Sequence, residues 1–276
     1  MSRRIWLCAD DYGISPGVNG AIRDLIENGR LNATSAMVVG PAIDRDEANA
    51  LKIATKANPR CAIGLHVTLT APFRPFTMHF KPLEGGLFLR HTKLLHRGFS
   101  GRIDSELVHT EVMEQLASFA ELFGRTPDFV DGHQHVQLFP GVRSAFLAAV
   151  KQAAPKAWVR QCGRGRPLLW RLDSPKAHVL DLLSGQFRRR AARAGLDFNP
   201  AFAGAYNFSK EHDFSVLMQK FLQGMPEGGV VMCHPGKVDD VLLGLDPFTV
   251  QREHEYAFLR GDRFLPLLAA SGFTLD

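Results

Sequence analysis

The sequence is poor in cysteine and has no long apolar stretch. Its 276 residues include only four cysteines, and no two of them form a CxxC pair: Cys8, Cys61, Cys162 and Cys233. This spacing argues against a disulfide-stapled scaffold and a zinc knuckle, and it is typical of proteins kept in a reducing compartment. No run reaches the about 20 consecutive apolar residues that a membrane-spanning helix needs. We therefore expect a soluble, cytoplasmic protein without a transmembrane segment.

We expect neither an export signal nor a dinucleotide-binding site. The first apolar run, Ile5–Ala9, is shorter than the about 7–15 residues of a signal-peptide core, and two acids follow it. We interpret this run as a β-strand. No GxGxxG pattern follows it, which argues against a nucleotide-binding site of the Rossmann type.

The charge is only mildly unbalanced. Lys and Arg number 33 against 28 Asp and Glu, and part of the excess lies in Arg188-Arg189-Arg190 and Arg193. Such a cluster is typical of a solvated helix face, although an acidic lipid headgroup or an anionic substrate could also contact it. We do not expect a nucleic-acid partner.

Strand-like apolar runs alternate with helical patterns almost from end to end. The predicted strands are Ile5–Ala9, Ala33–Val39, Cys61–Leu69, Asp128–Val136, Ala157–Cys162, Ala203–Phe208 and Val230–Cys233. The predicted helices are Pro16–Asn28, Asp44–Lys56, Ser105–Phe123, Val142–Gln152, Ala177–Arg193, Phe214–Gln223, Phe248–Arg260 and Arg263–Ala270. Regular alternation with short connections favours parallel strands, in either a barrel or a doubly wound sheet.

The polar clusters decide between these two folds. They end predicted strands one, three, four and seven, and a closed barrel brings such distant strands around one mouth more easily than an open sheet does. We therefore predict one α/β domain, residues 1–276, folded as an incomplete or distorted (β/α) barrel of about seven parallel strands. A loop predicted from Thr70 to about Gly101 leaves the strand that carries His66. It is expected to form a substrate wall or lid, with an insertion without a role as the alternative.

Residue types that bind metals follow the apolar runs. Asp10 and Asp11 end the first strand, and His66 and His234 end two others. A further cluster, Asp131-Gly132-His133-Gln134-His135, ends the fourth. Taken singly, an acidic pair is more often a turn or cap, and a lone histidine in an apolar run is more often a core residue. Together they indicate a site at one end of the sheet.

This set suits hydrolysis assisted by a metal ion. Asp11, His66 and His133 supply one carboxylate and two imidazoles for a divalent cation, which leaves positions open for water and substrate. Water bound to such an ion can attack a carbonyl near neutral pH. Asp10 is the predicted general base, and His234 is the predicted general acid that protonates a leaving amine.

His135 is expected to share a strand face with His133, because residues i and i+2 of a strand point to the same side. It would then serve as a further metal ligand or as a substrate contact.

The motifs resemble those of the YdjC-like (ChbG) carbohydrate deacetylases. The matching segments, in chain order, are Ala9-Asp10-Asp11-Tyr12-Gly13, Gly64-Leu65-His66, Asp131-Gly132-His133-Gln134-His135-Val136 and Met232-Cys233-His234-Pro235. The resemblance covers nearly the whole chain. It implies a distorted barrel of the NodB-like glycoside hydrolase/deacetylase type, one Mg²⁺ or Zn²⁺ ion, and removal of acetyl groups from N-acetylated sugars such as chitooligosaccharides. It also implies the same ligands, base and acid.

Further residues enter through the resemblance as substrate-binding or supporting groups: His135, Tyr12, Asp131 and Arg252. Arg252-Glu253 resembles an Arg-Glu pair in the family's last large helix. Two positions depart from the family: Tyr12 replaces a more common phenylalanine, and Val136-Gln137 stands where another histidine is often found. A related branch acts in hopanoid assembly, so lipid-linked acetylglucosamine is a second substrate option behind an oligosaccharide.

Other functions remain open at this point. The same barrel could carry another metal-dependent hydrolase, such as an amidohydrolase or phosphoesterase, or a sugar-binding protein without turnover. A two-metal phosphoesterase would need more ligands than the sequence offers. The expected partner is an acetylated amino sugar, and a homodimer is compatible with the sequence.

Overall fold

The strands of the computed structural model, which describes residues 2–165, 175–208 and 212–276, form two parallel sheets. Their bounds are β1 Arg3–Arg4, β2 Trp6–Tyr12, β3 Ala33–Ala36, β4 Ala62–Val67, β5 Phe129–Gly132, β6 Trp158–Val159, β7 Phe202–Ala203, β8 Val230–Cys233 and β9 Phe273–Thr274. The seven-stranded sheet has the order β6-β5-β4-β3-β2-β8-β7, and β1 pairs with β9 in a separate ribbon. All ladders are parallel, as the alternation predicts.

Helices fill the connections between the strands. Their bounds are α1 Pro16–Glu27, α2 Arg45–Ala54, α3 His91–Phe99, α4 Ser105–Phe123, α5 Arg143–Ala153, α6 Pro175–Arg193, α7 Phe214–Leu222, α8 Asp240–Leu245, α9 Val250–Arg260 and α10 Phe264–Ala270. Ser15 caps α1 by accepting a hydrogen bond from the Val18 N–H, with Pro16 as the first helical residue. Asp104 caps α4 through the Glu106 and Leu107 N–H groups, and Gly124 ends it at a φ of 69°. Both helices begin at the predicted residue, and these caps satisfy backbone groups that a helix end leaves without a partner.

The large sheet curls so that each edge strand contacts the chain beside the opposite edge strand. A single parallel bridge joins Val159, in β6, to Phe198. The Phe202 N–H, in β7, donates to the Gly163 carbonyl oxygen at 3.0 Å. The result is the predicted incomplete (β/α) barrel, closed by a short contact instead of a full ladder.

Several predicted strand bounds are wrong. β5 ends at Gly132, and a 3₁₀ turn over His133–Leu138 replaces the rest of the predicted strand Asp128–Val136. β6 and β7 are two residues each, because the closing edge pairs irregularly.

The predicted loop from Thr70 to Gly101 contains a helix, α3. Its Leu94 is buried, and a Cβ on its Gly98 would lie 2.4 Å from the Pro140 carbonyl oxygen. This close approach to a distant segment stabilises a nine-residue helix that local propensity does not predict.

Candidate active site

A backbone irregularity at the end of β2 sets the positions of Asp10 and Asp11. The β2–β3 register shifts between Ala9 and Tyr12, and Asp11 has a φ of 68°, in the left-handed region. In a regular strand, neighbouring side chains point to opposite faces. A bulge re-aims a side chain, and here both carboxylates reach the buried cluster around His66.

Asp11, His66 and His133 converge as one set of metal-ligand atoms. Asp11 Oδ1 lies 3.3 Å from His66 Nε2 and 2.9 Å from His133 Nδ1. The three atoms all lie within 4.8 Å of one another. Ligands about 2.0–2.2 Å from a shared ion at angles of 90–110° are about 2.8–3.6 Å apart. Both distances from Asp11 Oδ1 therefore suit ligands of a single divalent ion.

Contacts at Nδ1 fix the orientation of the His66 ring. Its Nδ1 lies 2.6 Å from Asp131 Oδ1 and 3.1 Å from Ser35 Oγ. A carboxylate at Nδ1 holds the proton there and leaves Nε2 as the ligand atom, an arrangement typical of metal-binding histidines. Asp131 thus orients His66.

The electrostatic field at this point favours a cation. Burial disfavours the charged imidazolium of His66, but the Asp131 and Asp10 carboxylates outweigh it and raise its pKa to about 10. Burial likewise opposes ionisation of Asp11, but Arg252 and His133 hold the pKa of Asp11 well below its usual range. Asp11 therefore stays a carboxylate, and the donor set fits a divalent metal in both spacing and charge.

Asp10 is paired with Arg160, a residue that the sequence analysis does not single out. Arg160 Nη1 and Nη2 donate to the two carboxylate oxygens of Asp10, each at 2.7 Å, and Nη2 lies 2.5 Å from Asp131 Oδ2. Burial raises the pKa of Asp10, but Arg160 and His66 outweigh it and lower that pKa to about 2. Asp10 is therefore ionised at every physiological pH.

Arg160 also occupies a second cluster of metal-ligand types, formed by Cys8, Asp10 and Asp131. Its Nη2 lies 2.9 Å from Cys8 Sγ and within hydrogen-bond distance of both carboxylates. A guanidinium in this position supplies the positive charge that a second cation would bring. The only signal for Arg160 in the sequence is a charged residue inside the apolar run Ala157–Cys162, where burial demands a partner.

Arg252 holds the other oxygen of Asp11. Its Nη2 lies 2.5 Å from Asp11 Oδ2 and 2.6 Å from Asp246 Oδ2, and the side chain is buried. This contact leaves Oδ1 of Asp11 facing the two histidines. Glu253, the neighbour in the Arg-Glu pair, is exposed and accepts only a long hydrogen bond from the Val238 N–H.

His234 follows β8, beside the donor set. Desolvation lowers the pKa of its imidazole, and the nearby Asp11 carboxylate opposes the shift. Its backbone N–H donates to Glu255 Oε2 at 2.5 Å, and its ring lies edge-on to Phe208 with the centroids 5.3 Å apart. Glu255 is a further residue that the sequence did not single out.

The prediction that His133 and His135 share a strand face is wrong. Gln134 and His135 have φ values of 54° and 60°, so the chain turns sharply after β5. His133 faces Asp11, whereas His135 Nδ1 lies 3.5 Å from Cys162 Sγ, against the Phe202 ring. Desolvation and the nearby Arg160 lower the pKa of His135 to about 3, so this ring is neutral.

Strained backbone marks the site. Among the described residues other than glycine, only Asp11, Gln134 and His135 have positive φ, and all three lie in the motifs around the donor set. Such conformations persist where surrounding structure enforces them, and they cluster at functional sites.

The structure does not bring Tyr12 to the donor set. Its hydroxyl contacts the Glu47 carboxylate, and Arg23 contacts both groups. The ring thus links β2 to α1 and α2.

The loop after β4 borders the site through a ring contact. The Phe73 ring lies edge-on to His133 with the centroids 5.9 Å apart. Buried Glu111, on α4, accepts hydrogen bonds from the Phe76 and Thr77 N–H groups and so anchors the loop. The basic cluster lies on α6, where Arg189, Arg190 and Arg193 are exposed.

Comparison with known proteins places this geometry in a family. The sequence profile of the YdjC-like protein family matches residues 4–270. A chitooligosaccharide deacetylase from Escherichia fergusonii is 28% identical over 280 residues, which covers 98% of this chain and 93% of that protein. One from Klebsiella pneumoniae strain 342 is 27% identical over 251 residues, covering 88% and 86% of the two chains.

Solved structures share the fold. A candidate cellobiose-phosphate cleavage protein from Enterococcus faecalis V583 superposes with a TM-score of 0.75 at 20% identity, covering 100% of this chain and 97% of that one. A CE4 esterase from Streptococcus mutans superposes with a TM-score of 0.50 at 15% identity, covering 99% and 84%. In the part of the chain that the structure describes, no helix is long and apolar enough to span a membrane.

Proposed function

The chain belongs to the YdjC-like protein family, and on this premise we propose that it is a carbohydrate N-deacetylase of the chitooligosaccharide type that works with one divalent metal ion. The observation that carries the proposal is the convergence of Asp11 Oδ1, His66 Nε2 and His133 Nδ1 beside a second, separately held carboxylate. The chitooligosaccharide deacetylases that match most of the chain support the substrate class.

Asp11, His66 and His133 would hold the ion, and Mg²⁺ and Zn²⁺ both suit this donor set. When bound, such an ion polarises a substrate carbonyl and lowers the pKa of a water molecule. Asp131 and Arg252 orient two of these residues. Asp131 contacts His66 at Nδ1, and Arg252 donates to Oδ2 of Asp11, so that Nε2 of His66 and Oδ1 of Asp11 stay free for the ion. The Phe73 ring packs edge-on against His133 and lines that side of the site.

The other two residues move protons. Asp10 accepts the proton of the attacking water, for which its permanent ionisation suits it, and Arg160 fixes the direction of its two oxygens. His234, in its protonated form, donates a proton to the amine that leaves the acetyl carbon, so that the sugar amine departs neutral, and the proton that Asp10 took from the water replaces the one that His234 gives up. Acetate and the free amino sugar are the products.

A different metal-dependent hydrolase is the alternative, and one observation weighs against its two-metal form. Arg160 fills the Cys8, Asp10 and Asp131 cluster, which is the other place among the described residues where ligand types gather. Two-metal phosphoesterases need ligands for a second ion about 3.5–4 Å from the first.

The test is acetate release from N-acetylglucosamine oligomers, with and without chelator, in parallel with phosphate release from sugar phosphates. Acetate release that stops on chelation and returns with Mg²⁺ or Zn²⁺ supports the proposal. Phosphate release without acetate release would favour the alternative, and sugar binding without either product would favour an inactive barrel. Lipid-linked acetylglucosamine belongs in the same screen as the second substrate option.

Two further proposals concern the whole chain. Residues 1–276 form one domain, which the family match across residues 4–270 supports. The location is cytoplasmic, which the four free, buried cysteines support.

A further inference from the structure

Glu255 is a buried carboxylate on α9 that the roles assigned above do not use. Its side chain is fully buried, and its two oxygens have different partners. Oε2 accepts the backbone N–H of His234 at 2.5 Å, and Oε1 accepts the Tyr206 hydroxyl at 2.7 Å. A buried carboxylate is costly unless hydrogen bonds or charges compensate for its lost hydration, and each of these two contacts offsets part of that cost.

The two partners of Glu255 are connected by a second route through aromatic rings. The Tyr206 ring lies against Phe208 with the centroids 4.1 Å apart. Phe208 in turn lies edge-on to the His234 imidazole, with the centroids 5.3 Å apart and the planes at 80°. Glu255, Tyr206, Phe208 and His234 therefore form a closed ring of contacts, which we call the His234 clamp.

The His234 clamp contacts the predicted acid, His234, at its backbone N–H and at its ring. The hydrogen bond that the His234 N–H donates to Glu255 fixes the main chain directly after β8, and the Phe208 ring restricts the rotation of the imidazole. Proton donation to a leaving amine requires the acid to lie within about 2.6–3.2 Å of the nitrogen, so loss of a few tenths of an ångström in placement lowers the rate.

We propose that Glu255 and Tyr206 are positioning residues for His234, acting through the backbone N–H and through Phe208. Neither side chain needs to touch the substrate or the metal. This inference rests on the proposed function in assigning His234 as the acid, whereas the positioning itself is a property of the protein without substrate.

The decisive variant is Tyr206→Phe, which removes one hydroxyl and keeps the ring. Tyr256→Phe is the matched control, because Tyr256 also lies partly buried and donates its hydroxyl to a carboxylate, Asp24, at 2.9 Å. Glu255→Gln is the conservative variant: its amide oxygen can still accept the His234 N–H. Glu253→Ala controls for changes elsewhere on α9, since Glu253 is exposed.

The first readout is steady-state deacetylation of an N-acetylglucosamine oligomer, with metal content measured on the same samples. We expect kcat of Tyr206→Phe to fall by about 10-fold or more, as for outer partners of a catalytic group, with KM and bound metal unchanged. Tyr256→Phe and Glu253→Ala should match the wild type, and Glu255→Gln should retain more activity than Glu255→Ala. A kcat for Tyr206→Phe equal to that of Tyr256→Phe would overturn the proposal.

The second readout does not depend on activity. In protein with labelled histidines, the His234 ring signals, assigned by their loss in His234→Gln, should shift and broaden in Tyr206→Phe and stay unchanged in Tyr256→Phe. Unchanged His234 signals in both variants would overturn the proposal even if activity falls. If the wild type releases no acetate from any sugar, the proposed function is wrong, and the ring signals still decide whether the His234 clamp holds the imidazole.

Discussion

Arg160 donates to both carboxylate oxygens of Asp10 at 2.7 Å, and both side chains are buried. A guanidinium paired in this bidentate way is held in orientation as well as in charge. The contact makes Asp10 a weak but permanently ionised base, and it joins the residue directly after β6 to β2. Its two consequences, for stability and for rate, can be measured separately.

Breaking this pair should destabilise the fold strongly. Arg160→Met leaves Asp10 and Asp131 without their cation, so we expect the free energy of unfolding to fall by about 3–5 kcal/mol. Arg125→Met is the matched control, because Arg125 also pairs with both oxygens of an aspartate, Asp128, but at the surface. Its loss should be about 0–1 kcal/mol. Urea unfolding in the presence of chelator measures both, and equal losses would contradict this account of burial.

Asp10→Asn should keep the metal and lose rate. The amide cannot accept the proton of the attacking water, so we expect kcat to fall by about 10²–10⁴-fold. Metal analysis of the same protein tests the division of roles between Asp10 and Asp11. A metal-free Asp10→Asn protein, with circular dichroism unchanged, would show that Asp10 is itself a ligand.

Removal of a ligand should abolish metal binding. Asp11→Ala and His133→Ala each delete one of three converging atoms, so neither protein should retain metal after dialysis. Addition of Mg²⁺ or Zn²⁺ should raise the melting temperature of the wild type and leave these variants unchanged, because only binding to the native state stabilises it. His135→Ala is the control, since His135 faces Cys162. Its metal content should equal that of the wild type, and its loss would place His135 among the ligands.

Asp131→Asn should weaken metal binding without abolishing it. The amide can still accept from His66 Nδ1, but it lacks the charge that makes the ring a better ligand. Changes of this kind cost about 10–100-fold in metal affinity. Calorimetric titration with the metal measures the loss, and Asp128→Asn, three residues earlier and outside the donor set, should bind as the wild type does. Equal affinities in all three proteins would remove Asp131 from the site.

Gly64→Ala tests the packing beneath the site. A Cβ at Gly64 would lie 2.5 Å from atoms of the Phe129 ring, in the layer below His66. We expect a loss of about 1–3 kcal/mol in the free energy of unfolding, as for other overpacked cores. Gly20→Ala, in α1, meets no atom within 4 Å and should stabilise the protein by up to about 1 kcal/mol. A neutral Gly64→Ala would mean that Phe129 moves aside.

Patterns along the chain predicted most of the architecture and the donor set. Apolar runs that alternate with amphipathic segments indicate parallel strands, and ligand types at their carboxyl ends indicate a common mouth. Asp11, His66 and His133 were found this way because each residue carries its own local signal. The turn at Gln134 and His135 was not predicted, because nothing in a histidine-rich segment distinguishes a strand from a left-handed turn.

What the sequence determined alone is the set of elements and which residue types end them, because hydrophobic periodicity and capping are local. Tertiary structure decided which neighbours those residues have. Three features depend on contacts between distant segments. They are the bulge that turns Asp11, the pairing of Arg160 with Asp10, and the hydrogen bond between the His234 N–H and Glu255. Burial then changes the chemistry, because a charge removed from water must find a partner, and the partner sets its orientation and its pKa.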